Sequence, residues 1–152
     1  MNAEAADTEV DAGPVRILVL CTGNSCRSIL AEAWFRELGG DRISVRSAGS
    51  RPEGRVNPRT IRVLDELGID HAWARSKSMT ELPDEPFDHA ITVCDDAAEV
   101  CPVFPGPAVR THWSIPDPAS ATGTDDEQIA VYRATAADLR ERIAGFLATL
   151  DG

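Results

Sequence analysis

Val15-Arg16-Ile17-Leu18-Val19-Leu20, running straight into Cys21-Thr22-Gly23-Asn24-Ser25-Cys26-Arg27-Ser28, is the stretch on which the fold turns. Its first half is a short, continuous apolar run, the pattern of a parallel strand buried on both faces. Its second half opens with a cysteine and closes, after five intervening residues, with an arginine and a serine. A strand, a tight loop and a helix start in that order can wrap backbone N–H groups around a tetrahedral oxyanion. A sulfur then lies beneath the anion and a guanidinium beside it.

The chain downstream repeats the strand–helix alternation. Ser28 to Leu38 predicts a helix with Leu30, Trp34 and Leu38 on one buried stripe, stopped at Gly39-Gly40. Ile43 to Ala48 reads as a second strand ending at Gly49. Asn57 is an N-cap, Pro58 suits the first helical position, and Gly68 suits the end, with Ile61, Leu64 and Leu67 expected to face inward. Ser78 to Leu82 suggests one helical turn. His89 to Cys94 is rich in β-branched residues and predicts a third strand, and Val109 to Trp113 a short fourth. Thr124 and Glu127 form a capping box, with Asp125 and Asp126 in the first turn of a long last helix. Along that helix Ile129, Tyr132, Ala136, Leu139, Ile143, Phe146 and Leu150 recur three and four apart on one face.

This alternation predicts an α/β fold: a single domain over residues 15–150, with a central parallel sheet of about four strands and helices on both faces. Ligands of such sheets bind outside the carboxyl ends of the strands. Cys21 directly follows the first strand and Cys94 ends a later one, so both are expected at the same sheet edge. Residues 1–14 carry Glu4, Asp7, Glu9 and Asp11 without an apolar block and read as a disordered acidic tail. With no export signal there, the cytosol is the expected compartment.

The 152 residues carry a formal net charge of −10, which argues against a nucleic-acid or anionic-membrane partner. No apolar run approaches the roughly 18 residues needed to span a bilayer. A small anion remains admissible, because a loop of N–H groups with one arginine is locally positive whatever the total charge. Arg16, Arg46, Arg51, Arg55 and Arg59 are scattered and read as solvated surface. His71, His89 and His112 share no metal-ligand spacing.

Within the loop each residue type has a chemical reason. A thiolate is the nucleophilic form of cysteine, and a helix N-terminus with a nearby arginine favours it; Cys21 has both neighbours. Gly23 permits a tight turn and close approach of an anion to the backbone. Arg27 can grip two oxygens at once. Ser28 can hydrogen-bond the Cys21 sulfur, and Asn24 can fix the loop through its amide. Thr22, Gly23, Asn24, Ser25, Cys26, Arg27 and Ser28 together are the expected oxyanion-binding segment, with Cys26 packing the loop rather than reacting.

The other two of the four cysteines are Cys94 and Cys101. Buried structural cysteines, a metal site and a redox pair are the alternatives. Neither pair has compact Cys-x2-Cys spacing, which disfavours zinc. Were residues 94–101 helical, the two Cα atoms would lie about 10 Å apart, beyond the roughly 7 Å that a disulfide allows. The pair can bond only if the segment is not helical or unwinds, which makes it a candidate redox switch.

The loop Cys-Thr-Gly-Asn-Ser-Cys-Arg-Ser at 21–28 resembles that of the low-molecular-weight protein tyrosine phosphatases, and more closely that of the thiol-dependent arsenate reductases sharing their fold. Ile29 follows Ser28 where the phosphatases usually have proline. Cys94 and Cys101, the latter followed by Pro102, resemble the two resolving cysteines of thioredoxin-linked arsenate reductases. Asp117, between Pro116 and Pro118, resembles the loop aspartate that handles the proton of the leaving oxygen, and Ala119 stands where phosphatases usually have an aromatic. The likeness runs from about Val15 to Phe146.

The resemblance implies an enzyme that reduces arsenate to arsenite, with phosphate as competing anion and Cys21, Arg27, Asp117, Cys94 and Cys101 as catalytic residues. It implies a disulfide cascade from Cys21 through Cys94 to Cys101, thioredoxin as electron donor, and neither metal nor cofactor. Asn24, Glu32 and Ser47 match a potassium site of some members, whose fourth position is Lys77 here; a lysine ammonium there implies no potassium dependence. A tyrosine phosphatase is the alternative activity, and a redox-sensing or anion-binding module without turnover is a third.

Overall fold

The computed structural model describes residues 13–82, 86–95 and 107–151. Strands β1 (Val15–Cys21), β2 (Ile43–Gly49), β3 (His89–Thr92) and β4 (Val109–His112) form one sheet in the order β2-β1-β3-β4, every neighbouring pair parallel. Helices α1 (Arg27–Gly39), α2 (Pro58–Glu66) and α3 (Asp125–Asp151) complete the α/β architecture. The acidic tail expected over 1–14 falls, apart from Gly13 and Pro14, outside the described residues. So does Cys101.

Side-chain alternation along β1 divides the core in two. Ile17, Val19 and Cys21 point to one face of β1, where they join Val45, Ile91 and all three helices in the larger cluster. Leu18 and Leu20 point to the other face and pack with Ala48, Phe87, Ala90 and Ala108. Among the described residues that second face is covered by Met79 and Leu82, the first residue and the C-cap of a 3-10 turn at Met79–Glu81. Ser78 caps this turn with its side chain, and Glu81 reaches back to the Ser78 N–H.

Two details differ from the periodic reading. Helix α1 has no single apolar stripe: every residue from Arg27 to Phe35 is buried, while Leu38 is only partly covered. It is enclosed by the sheet, α2 and α3, so its polar residues must find partners inside the protein. Helix α2 is rotated from the expected setting. Thr60, Val63 and Leu64 face inward, and Leu67 caps the helix end in solvent at 45% exposure. The inward stripe therefore starts at a threonine, which a purely hydrophobic pattern overlooks.

Strand order gives the molecule its site. The chain leaves β1 for β2 on one side, and leaves β3 for β4 on the other. Adjacent strands whose connections diverge open a crevice beyond their carboxyl ends. Cys21 is the last residue of β1. Cys94 lies two residues past β3, whose pairing with β1 is prolonged by the Val93 N–H donating to the Leu20 carbonyl at 2.9 Å. Replacement of Leu64 by alanine is expected to cost about 2–5 kcal/mol of unfolding free energy, and of Leu67 about 0.5 kcal/mol or less, measured by urea titration; equal costs would contradict the observed setting of α2.

Candidate active site

The loop from Cys21 to Arg27 is shaped by where its carbonyls go. The Cys21 carbonyl accepts from Ser50 N–H at 3.3 Å, Thr22 from Arg51 at 2.9 Å, Gly23 from Glu53 at 3.0 Å and Ser25 from Asn57 at 3.0 Å. Two hydroxyls add to these: Ser76 donates to the Gly23 carbonyl and Thr60 to that of Ser25. The Cys26 carbonyl begins the helix ladder, accepting from Leu30. In a trans peptide the C=O and the following N–H point opposite ways. Carbonyls bound outward to residues 50–60 therefore turn the N–H groups of Thr22, Gly23, Asn24 and Cys26 inward. The Asn24 N–H makes this visible, donating to the Cys21 sulfur at 3.2 Å.

That inward curl requires Asn24 to sit at φ +48°, in the left-handed region that asparagine tolerates better than most residues. Its side chain, fully buried, holds the strained backbone. Nδ2 donates to Ser28 Oγ at 2.7 Å and to Ser47 Oγ at 3.0 Å, and Oδ1 accepts from Lys77 N–H at 2.7 Å. Ser28 Oγ, already accepting from Asn24, has its proton free for the Cys21 sulfur 2.9 Å away. Ser47 passes its own proton to Glu32 Oε1 at 2.6 Å, and Arg36 closes the chain on Glu32 Oε2.

The oxygens of Asn24, Ser47 and Glu32 that would face a potassium ion are already engaged by protein donors. Lys77 contributes chiefly its backbone N–H; its ammonium donates to the Arg75 carbonyl at 2.8 Å. Burial pushes the Lys77 ammonium below the usual lysine range, against the pull of Glu32.

The cradle opens into a cavity of about 140 Å³ lined by residues 21–27 together with Arg51, Glu53 and Asp117. Arg27 is buried and held by its Nη1 donating to the Ile115 carbonyl at 3.0 Å, while Nη2 lies 3.8 Å from Asp117 Oδ2. Asp117 is itself anchored, its Oδ1 accepting from the Ala119 N–H as the cap of a 3-10 turn. One carboxylate oxygen is thus structural and the other is presented to the cavity.

Cys26 plays no such part. Its thiol lies against Thr60, and burial pushes it from 9.0 up to about 12. The structure brings Cys21, Arg27, Asp117 and the loop N–H groups together, and sets Cys94 at the same sheet edge. Cys94 is fully buried and disulfide-bonded, whereas Cys21 and Cys26 are free thiols. The sequence reading missed the clamp, Ser50 to Thr60 with Ser76. It also missed Gly49, where a Cβ would stand 2.4 Å from the Thr22 carbonyl oxygen. A glycine closing the strand beside the loop was its only signal. Arg51, read as solvated surface, borders the cavity.

Residues 16–152 match the family described as low molecular weight phosphotyrosine protein phosphatase. The chain belongs to that family. An arsenate reductase of Halalkalibacterium halodurans is 41% identical over 133 residues, spanning 88% of this chain and 95% of that protein. The solved structure of an arsenate reductase from Archaeoglobus fulgidus is 30% identical with a TM-score of 0.73, covering 87% of this chain and 98% of that one. A thioredoxin-dependent arsenate reductase of Corynebacterium glutamicum shares the fold at a TM-score of 0.66 and 24% identity, over 95% of this chain and 67% of that one. Within a family named for phosphatases, the chain is thus similar over most of its length to proteins named as arsenate reductases.

Cys26 has a measurable signature. Its folded value is raised, so as pH climbs the unfolded chain loses that proton first, near 9.0, and the folded protein near 12. Its contribution to stability is present below about pH 9 and is lost through about pH 12, on the order of 1.4 kcal/mol per pH unit. Cys26→Ala is expected to flatten the alkaline limb of unfolding free energy against pH by up to one proton; an unchanged slope would contradict the inert thiol.

Proposed function

We propose that this protein reduces arsenate to arsenite, with thioredoxin restoring its thiols. The observation that carries the reading is the company of Cys21: a second cysteine, Cys94, engaged in a disulfide at the same sheet edge. A phosphatase needs only the first thiol, because water completes its cycle. A reductase needs further thiols to supply two electrons.

In this mechanism arsenate enters the cavity and is held by the inward N–H groups and Arg27. The Cys21 thiolate, receiving hydrogen bonds from Asn24 N–H and Ser28, attacks arsenic. Asp117 protonates the departing oxygen, which leaves as water. Cys94 attacks the Cys21 sulfur; the S–As bond breaks, its electron pair passes to arsenic, and arsenite departs. Cys101 then attacks Cys94, freeing the Cys21 thiolate and leaving a Cys94–Cys101 disulfide for the dithiol of thioredoxin. Supporting the reading are the anchored arginine, the half-free Asp117 carboxylate, and a cavity lined, among the described residues, by no aromatic side chain that could hold a phenyl ring.

The family's own name favours the second reading, a tyrosine phosphatase, since Cys21, Arg27 and Asp117 serve either chemistry. Cys94→Ser and Cys101→Ser separate the two. Each is expected to lower thioredoxin-coupled arsenate turnover by at least about 10²-fold while leaving hydrolysis of an aryl phosphate within about twofold. Wild-type arsenate turnover in either variant would refute the cascade. Because the Asn24–Ser47–Glu32 chain is internally satisfied, turnover is also expected to be equal in potassium and sodium chloride at matched ionic strength; activation by potassium would contradict the bonding seen around Lys77.

A further inference from the structure

Glu53 puts a carboxylate at the mouth of a pocket built for anions. Its place is fixed by the backbone on both sides. The Glu53 N–H donates to the Gly23 carbonyl at 3.0 Å. The next N–H, of Gly54 at φ +89°, donates to Ser76 Oγ at 3.2 Å, and Ser76 in turn donates to the same Gly23 carbonyl. The side chain then folds over the cradle, so close that a Cβ on Gly23 would stand 2.8 Å from Glu53 Oε2. Glu53 lines the same cavity as Cys21, Arg27, Arg51 and Asp117.

A fixed negative charge beside an anion site is unfavourable unless the anion brings a proton to it. A carboxylate only accepts hydrogen bonds. At neutral pH inorganic arsenate and phosphate each retain at least one hydroxyl that can donate. Sulfate retains none, and neither does the dianion of a phosphate monoester. A site whose carboxylate faces the bound oxyanion therefore rewards the first class and repels the second, selectivity obtained by an unfavourable contact with the wrong ligand.

We propose that Glu53 is a specificity-determining residue that accepts a hydrogen bond from the hydroxyl of the bound oxyanion, restricting the pocket to small, protonated tetrahedral anions. Asp117 is the other carboxylate at this cavity, with one oxygen capping a turn and the other 3.8 Å from Arg27 Nη2. The inference rests on the reading of the cavity as an oxyanion site, but not on any redox step.

Calorimetric titration of the thiol-reduced protein with phosphate and with sulfate tests it, since neither anion oxidises a thiol. Wild type is expected to prefer phosphate. Glu53→Gln is expected to shrink that preference by about tenfold or more, chiefly by gaining sulfate affinity, as fits a hydrogen bond to a charged group. Glu53→Asp, which keeps the charge, is expected to retain most of it. A preference in Glu53→Gln within twofold of wild type overturns the proposal, as does a collapse in Asp117→Asn with none in Glu53→Gln. Failure of wild type to bind either anion would remove the oxyanion reading itself, a result distinct from loss of discrimination.

Discussion

The outward commitment of the loop carbonyls is the constraint on which this structure depends. A seven-residue loop facing an anion exposes as many C=O as N–H groups, and one inward carbonyl would cancel the attraction of a neighbouring N–H. Residues 50–60 resolve this by presenting N–H donors to the carbonyls of Cys21, Thr22, Gly23 and Ser25. Each bond satisfies a buried polar group and simultaneously orients the next peptide. The positive lining of the cradle is thus a by-product of backbone accounting done on its outer side.

That dependence explains features remote from the chemistry. The clamp must itself be held, and Asn57 does this twice: its Oδ1 caps α2 by accepting from the Arg59 N–H, and its Nδ2 donates to Tyr132 OH on α3. Arg133 on α3 forks onto Glu66 of α2, and Arg59 and Arg62 reach Asp125 at the α3 start. Trp34 of α1 donates to the Ala136 carbonyl of α3. The long last helix thus braces both the helix that grows from the cradle and the helix that carries the clamp. Gly49 is needed for a steric reason in the same assembly, since only a residue without Cβ lets β2 pass so close to Thr22.

Much of this was legible in the chain. Local patterns located the strands, the Asn57-Pro58 start of α2 and the Thr124–Glu127 box, because these depend on neighbours a few residues apart. Cys21, Arg27 and Ser28 were legible because the chemistry confines them to one loop. The clamp was not, because it acts through main-chain N–H groups, and any residue but proline supplies one. The rotation of α2 escaped for a related reason: Thr60 faces inward to donate to the Ser25 carbonyl, a polar duty that hydrophobic periodicity counts as surface. Arg51 read as an ordinary solvated charge and Glu53 belonged to no motif, and only the fold brings them to the cavity.

The arrangement also separates two tasks that one thiol could not combine. The cradle must be rigid, since its donors stabilise charge only if they are already in place when the anion arrives. Electron delivery needs a second sulfur that reaches the first and then withdraws. Placing Cys21 at the end of β1 and Cys94 beyond the end of β3, where the connections diverge, puts both beside the crevice while only the first belongs to the clamped loop. The same cradle can therefore serve hydrolysis or reduction. In the proposed mechanism the choice between them lies in what stands around it, a second cysteine at the strand edge.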